Sequence, residues 1–115
     1  MYKIAYNEVL DESPKEERAQ ERSALERSIE MLQAAEAAGP GSREAIDAIL
    51  FVRRLWGIFI EDLASPENGL PQKLRADLIS VGLWVMRETE EIRLGRSSNF
   101  SGIIDVSRTI SEGLQ

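Results

Sequence analysis

The side chains able to do chemistry in this chain are few in kind. Its 115 residues include no histidine and no cysteine. That removes the commonest general base, the commonest zinc ligand and every thiol reaction. Carboxylates are plentiful, 20 Asp and Glu against 14 Lys and Arg, and a pair such as Asp62 and Glu67 has the residue types for general acid–base work. Carboxylates near helix ends are ordinarily just solvated, however. The sequence has no phosphate-binding glycine loop, no dinucleotide fingerprint, no nucleophile elbow and no calcium loop of EF-hand spacing. The expectation is a protein that is not an enzyme and uses no cofactor and no metal. Asn99-Phe100-Ser101 fits a glycosylation sequon, a pattern without meaning in a cytoplasmic protein. What remains is binding chemistry. It consists of an arginine pair, Arg53 and Arg54, and of aromatic rings at Tyr2, Tyr6, Trp56, Phe59, Trp84 and Phe100.

Charge and hydropathy limit the partners. A net charge of −6 repels both nucleic acid and anionic membrane, so direct nucleic-acid contact is not expected. The longest uncharged apolar run is Leu78–Met86, far short of the roughly 20 residues a membrane span needs. No basic-then-apolar leader opens the chain, and the expected location is the cytoplasm. The length suits a single domain, 1–115, with one core.

Those side chains need a scaffold, and the periodicity supplies one. Residues 1–12 read as an N-terminal arm, extended or briefly helical. Tyr2 and Tyr6 either fill the rim of the core or form a lid or partner contact. Ser13-Pro14-Lys15-Glu16 is a capping box with proline at the first helical position. It starts a long helix that ends at Gly39-Pro40-Gly41, with the stripe Leu25, Ile29, Leu32 and Ala35. Residues 15–22 are almost wholly charged, giving either a solvated half-helix or a partner surface. Ser42 can cap a second helix to about Ala64, with Ile46, Ile49, Leu50, Trp56, Ile60 and Leu63 along one broad face. Arg53 and Arg54 interrupt its apolar surface, with Asp62, Glu88 and Glu91 as candidate partners, or they present a basic pair to an acidic partner.

Pro66 ends that helix, and Asn68-Gly69 turns the chain. Pro71 opens a third helix to Leu94, with Leu74, Leu78, Val81, Val85 and Ile92 inward. Gly82 in its apolar stretch points to close approach of another helix or of a ring such as Trp56. Arg87 and Glu91 are spaced for an i,i+4 pair. Ser98 or Asn99 can cap a short fourth helix with the stripe Phe100, Ile103, Ile104, Ser107 and Ile110. Its modest intrinsic helicity makes it a candidate for a detachable cover over a groove. The fold class is therefore all-α: a small bundle of three long helices plus a short C-terminal one. Its centre is the helical hairpin 50–86. A DNA-reading helix-turn-helix around 55–84 is excluded, because its second helix would present Leu, Ile and Val to the bases.

The chain resembles the FlaF family of flagellar biosynthesis regulators of alphaproteobacteria. The resemblance rests on Tyr2, Tyr6 and Val9, on Arg53-Arg54-Leu55-Trp56, and on Glu61-Asp62-Leu63. It continues through Asn68, Leu70-Pro71, Leu74-Arg75-Ala76-Asp77-Leu78-Ile79-Ser80, Gly82 and Trp84, and spans essentially the whole chain. It implies a cytoplasmic protein required for flagellin production. Such a protein would act as a flagellin-binding secretion chaperone and regulator, together with the translational regulator FlbT. It implies no catalytic residue. An apolar groove between the second and third helices would hold an amphipathic flagellin segment. Its anchors would be Trp56, Phe59 and Trp84, unless these rings are plain core. The alternatives are a post-transcriptional regulator touching flagellin mRNA through Arg87, Arg93 and Arg96, and an adaptor that binds FlbT alone.

Overall fold

Glycine, proline and short polar residues cut residues 13–113 into four helices. The computed structural model describes residues 13–113, with side chains from Glu16 onward. Among them lie α1 (Ser13–Ala38), α2 (Arg43–Ala64), α3 (Gln72–Arg93) and α4 (Phe100–Gly113), and no strand. The arm 1–12 with Tyr2 and Tyr6, and the side chains of the Ser13 capping box, lie outside the described residues.

Each junction has an identifiable cause. Gly39 takes φ 106° and its amide donates to the Ala35 carbonyl at 2.8 Å, closing α1 with a left-handed cap. The Ser42 hydroxyl then accepts the Ala45 amide and caps α2. After α2, the Asn68 side chain donates to the carbonyl and carboxylate of Asp62 and accepts the Leu70 amide. Arg75 reaches back from α3 and donates to the carbonyl of Leu63, in the last turn of α2, and to that of Ser65, which also accepts the Asn68 amide. Pro71 stands just before α3 rather than inside it, a one-residue difference from expectation. Gly95, at φ 77°, ends α3. Its amide donates to Ile92 and that of Arg96 to Glu91, the two-bond Schellman arrangement. Asn99 then caps α4 by accepting the Gly102 amide.

The helices run up, down, up, down, and pack in the order α4–α1–α2–α3. α1 and α2 are therefore the inner pair, and α3 and α4 make little contact with each other beyond their shared turn. The core draws on all four. It contains Leu25, Ile29, Leu32 and Ala35 of α1; Ala45, Ala48, Ile49, Val52 and Trp56 of α2; Val85 and Ile92 of α3; and Phe100, Ile103 and Ile104 of α4. The close approach read from Gly82 is present. A β-carbon there would lie 2.9 Å from both Ile60 Cγ1 and Trp56 Cε3.

Four expectations are corrected. Ile46 and Leu50 do not face the interior and are 53% and 60% exposed. α2 is apolar around most of its circumference, but among the described residues it packs mainly against α1 and α3, which leaves Ile46 and Leu50 on a flank that neither covers. Leu74 is also exposed, because the buried positions of α3 among the described residues begin only at Gly82. Glu91 pairs with Arg96, not Arg87, since the Schellman turn brings Arg96 back over it. Finally, α4 is no detachable cover. With Phe100 2% exposed and Ile103 fully buried, it forms one wall of the core.

The open apolar cleft

The α3–α4 seam is closed at the turn that joins them and open at the other end. There lies a cleft of about 100 Å³ lined by all four helices and the α2–α3 turn. α1 supplies Glu21 and Leu25, and α2 supplies Trp56, Phe59, Asp62 and Leu63. Asn68 and Leu70 come from the turn, Leu78 from α3 and Ile110 from α4. The lining is mostly apolar, with carboxylates at the rim. The volume is about three waters' share of liquid, enough for roughly one apolar side chain.

Two aromatic rings shape the wall. Trp56 is 2% exposed and Phe59 half-buried. They meet edge to face, with centroids 5.3 Å apart and planes at 85°, a favoured aromatic geometry. One edge of the indole rests on Gly82. Its Nε1–H, on the opposite edge, is buried without an acceptor among the described residues. A buried unmade donor is a standing cost of about 1–3 kcal/mol.

Electrostatics at the rim are unbalanced. Partial burial pushes the Glu21 carboxyl above its ordinary range, and the negative charges of Asp62 and Glu17 push the same way, against a smaller pull from Arg18. Among the described residues, Glu21 makes no ion pair. Asp62 is partly satisfied by the Asn68 amide at 3.2 Å.

The structure unites some of the sequence-derived site residues and separates others. Trp56 and Phe59 share the cleft. Trp84 packs, partly buried, against the core and does not line the cleft. Phe100 is interior. The arginine pair divides. Arg53 donates from Nη1 to the Met86 carbonyl at 2.8 Å and to Thr89 Oγ1 at 2.9 Å, with Glu90 at 3.7 Å. Its carboxylate partner is thus none of Asp62, Glu88 or Glu91. Arg54 points to solvent. The expected α2–α3 groove is instead a cleft with all four helices around it.

Sequence reasoning missed Glu21, Leu70 and Ile110 as lining residues. Glu21 sits in a charged run that reads as a solvated face, and Leu70 in a turn. Only the up-down-up-down path shows that the start of α1, the end of α2, the start of α3 and the end of α4 meet.

With that geometry in place, comparison with known families is decisive. The family model for flagellar protein FlaF matches residues 2–114, nearly the whole chain. The chain belongs to the FlaF family. No curated protein and no solved structure matches it. Membership in FlaF makes it a flagellar protein. Six of the residues that carry the FlaF resemblance, Trp56, Asp62, Leu63, Asn68, Leu70 and Leu78, line the cleft. No helix among the described residues is long and apolar enough to cross a membrane.

Proposed function

We propose that this FlaF-family chain is a flagellin-binding secretion chaperone and a regulator of flagellin synthesis. The cleft would hold one apolar anchor of an amphipathic flagellin segment, in helix-in-groove fashion. The observation that carries the reading is the cleft itself. It is apolar, open to solvent, backed by a tryptophan–phenylalanine pair and built from residues that also carry the family resemblance. A segment held there is kept from assembling, and the fraction of chaperone left free can report how much flagellin awaits export.

Calorimetry of the purified protein against purified monomeric flagellin tests this. Leu70 is 41% exposed on the cleft rim, so Leu70→Gln should leave stability within about 0.5 kcal/mol. It should weaken flagellin binding about tenfold, the cost of losing one apolar contact of about 1.4 kcal/mol. Absence of flagellin binding by the unaltered protein, with FlbT binding retained, would overturn the chaperone reading in favour of the adaptor. Direct contact with mRNA is the weaker alternative. Of its three arginines, Arg93 and Arg96 are already paired with Glu90 and Glu91 at 2.6 and 2.9 Å, which leaves Arg87 as the exposed one without an ion pair among the described residues. A salt titration separates the two, because RNA binding weakens steeply with salt.

A further inference from the structure

The cleft carries a charge preference as well as an apolar one. Glu21 faces it from α1 and Asp62 from α2. Glu17, one turn before Glu21, lines the adjoining surface with Leu55 and Phe59. Two carboxylates therefore border one small apolar opening, and a third stands one turn away on the adjoining surface. The ion pairs of the described residues lie elsewhere, at Arg43–Asp47, Arg53–Glu90, Lys73–Asp77, Arg93–Glu90 and Arg96–Glu91. Partly desolvating the Glu21 carboxylate beside like charges is unfavourable. Trp56, whose ring lines the same cleft, has a buried Nε1–H without an acceptor among the described residues. Among the described residues, a half-buried carboxylate of α1 and an exposed one of α2 thus face the cleft with no cation between them.

Resting on the chaperone reading above, we infer that the segment held in the cleft is a basic amphipathic helix of another protein. It carries a lysine or arginine one turn from its apolar anchor. The anchor fills the space beside Trp56 and Phe59, and the cation lies between Glu21 and Asp62. Two other occupants fit less well. A small-molecule ligand needs a cavity of about 300 Å³ or more, and this one holds about 100 Å³. A second copy of this chain, with net charge −6, brings the wrong sign to an acidic rim.

Glu21→Gln tests the inference with little risk to the fold, since it removes a charge that gains no ion pair among the described residues. Monomeric flagellin is the probe, titrated by calorimetry at about 50 mM and 300 mM salt, where the Debye length shortens from roughly 14 to 6 Å. The expected result is that Glu21→Gln weakens binding about tenfold at low salt and flattens its salt dependence. Glu21→Lys should weaken it further, while Leu70→Gln should weaken it with the salt dependence kept. If Leu70→Gln weakens binding and Glu21→Gln binds as well as the unaltered protein or better, the cation is not required. The inference is then overturned and the cleft reading stands. If flagellin binds but neither substitution weakens it, the cleft is not the site, and both readings fall. Concentration-dependent dimers in sedimentation velocity that Leu70→Gln disperses would put a second copy in the cleft and overturn the inference.

Discussion

At the scale of single residues, two positions show how position governs what a side chain does. Gly82 is a void the size of a methyl group, filled by its neighbours. Ile60 and Trp56 already occupy the space a β-carbon would need. Gly82→Leu should lower stability by about 1–3 kcal/mol through overpacking, read as a lower midpoint in urea; an unchanged midpoint would mean that α2 and α3 do not meet there. Glu21 illustrates the electrostatic side. Its carboxyl titrates above the ordinary range because of partial burial, then Asp62 and Glu17, with Arg18 opposing. A group whose folded pKa is raised binds its proton more tightly in the folded state, so its favourable contribution exists below the unfolded pKa and is lost as pH rises through the folded one. Stability should therefore fall as pH rises from the ordinary carboxylate range to just above it. Glu21→Gln should flatten that part of the profile and leave the protein at least as stable at neutral pH, as thermal melts across pH would show.

Among the elements, the adjacent arginines of α2 make the clearest contrast. Arg53 and Arg54 are identical in type and successive in sequence, but the 100° turn between them sends one to α3 and one to solvent. Arg53 bridges α2 to the Met86 carbonyl and Thr89, and Thr89 is fully buried. Arg53→Met should cost about 1.5–3 kcal/mol, the range for hydrogen bonds to a charged donor, whereas Arg54→Ala should stay within about 0.5 kcal/mol. Equal effects in chemical denaturation would contradict this division. The sequence announced the pair and its need for a partner. It did not indicate Glu90, because a helix spacing of one residue does not say which arginine faces α3 or at what height. The helix boundaries were far more legible. Gly39, Ser42, Gly95 and Asn99 each act through local backbone chemistry that no distant residue alters.

For the whole molecule, the order α4–α1–α2–α3 makes the short last helix structural. Phe100, Ile103 and Ile104 complete the core against α1, so removing residues 100–115 should abolish cooperative thermal unfolding rather than merely open a groove. A truncated protein with a sharp near-native transition would restore the cover reading. The same order leaves α3 and α4 loosely matched along their seam, and that looseness is what opens the cleft. An inner pair of well-packed helices with two outer ones that hardly touch leaves one loosely packed edge, and it is there that the proposed partner side chain would enter.

The sequence alone determined the helical class, the helices between Ser13 and Gly113, the caps at Gly39, Ser42, Gly95 and Asn99, the central place of Trp56, and the family. Periodicity, capping and turn chemistry are local, and the family pattern is written in residue identity. It placed Trp84 and Phe100 beside Trp56 and Phe59 as anchor candidates, because an aromatic ring on an apolar stripe looks the same whether it ends in a core or at a cleft. Tertiary structure alone decided which stripe found a neighbour. It left Ile46, Leu50 and Leu74 in solvent, sent Arg53 to Thr89, and joined Glu21 to Asp62 across some forty positions of sequence. The physical reason is that burial and charge coupling depend on which helix faces lie within a few ångströms of one another, and that distance is set by the packing order of the whole bundle.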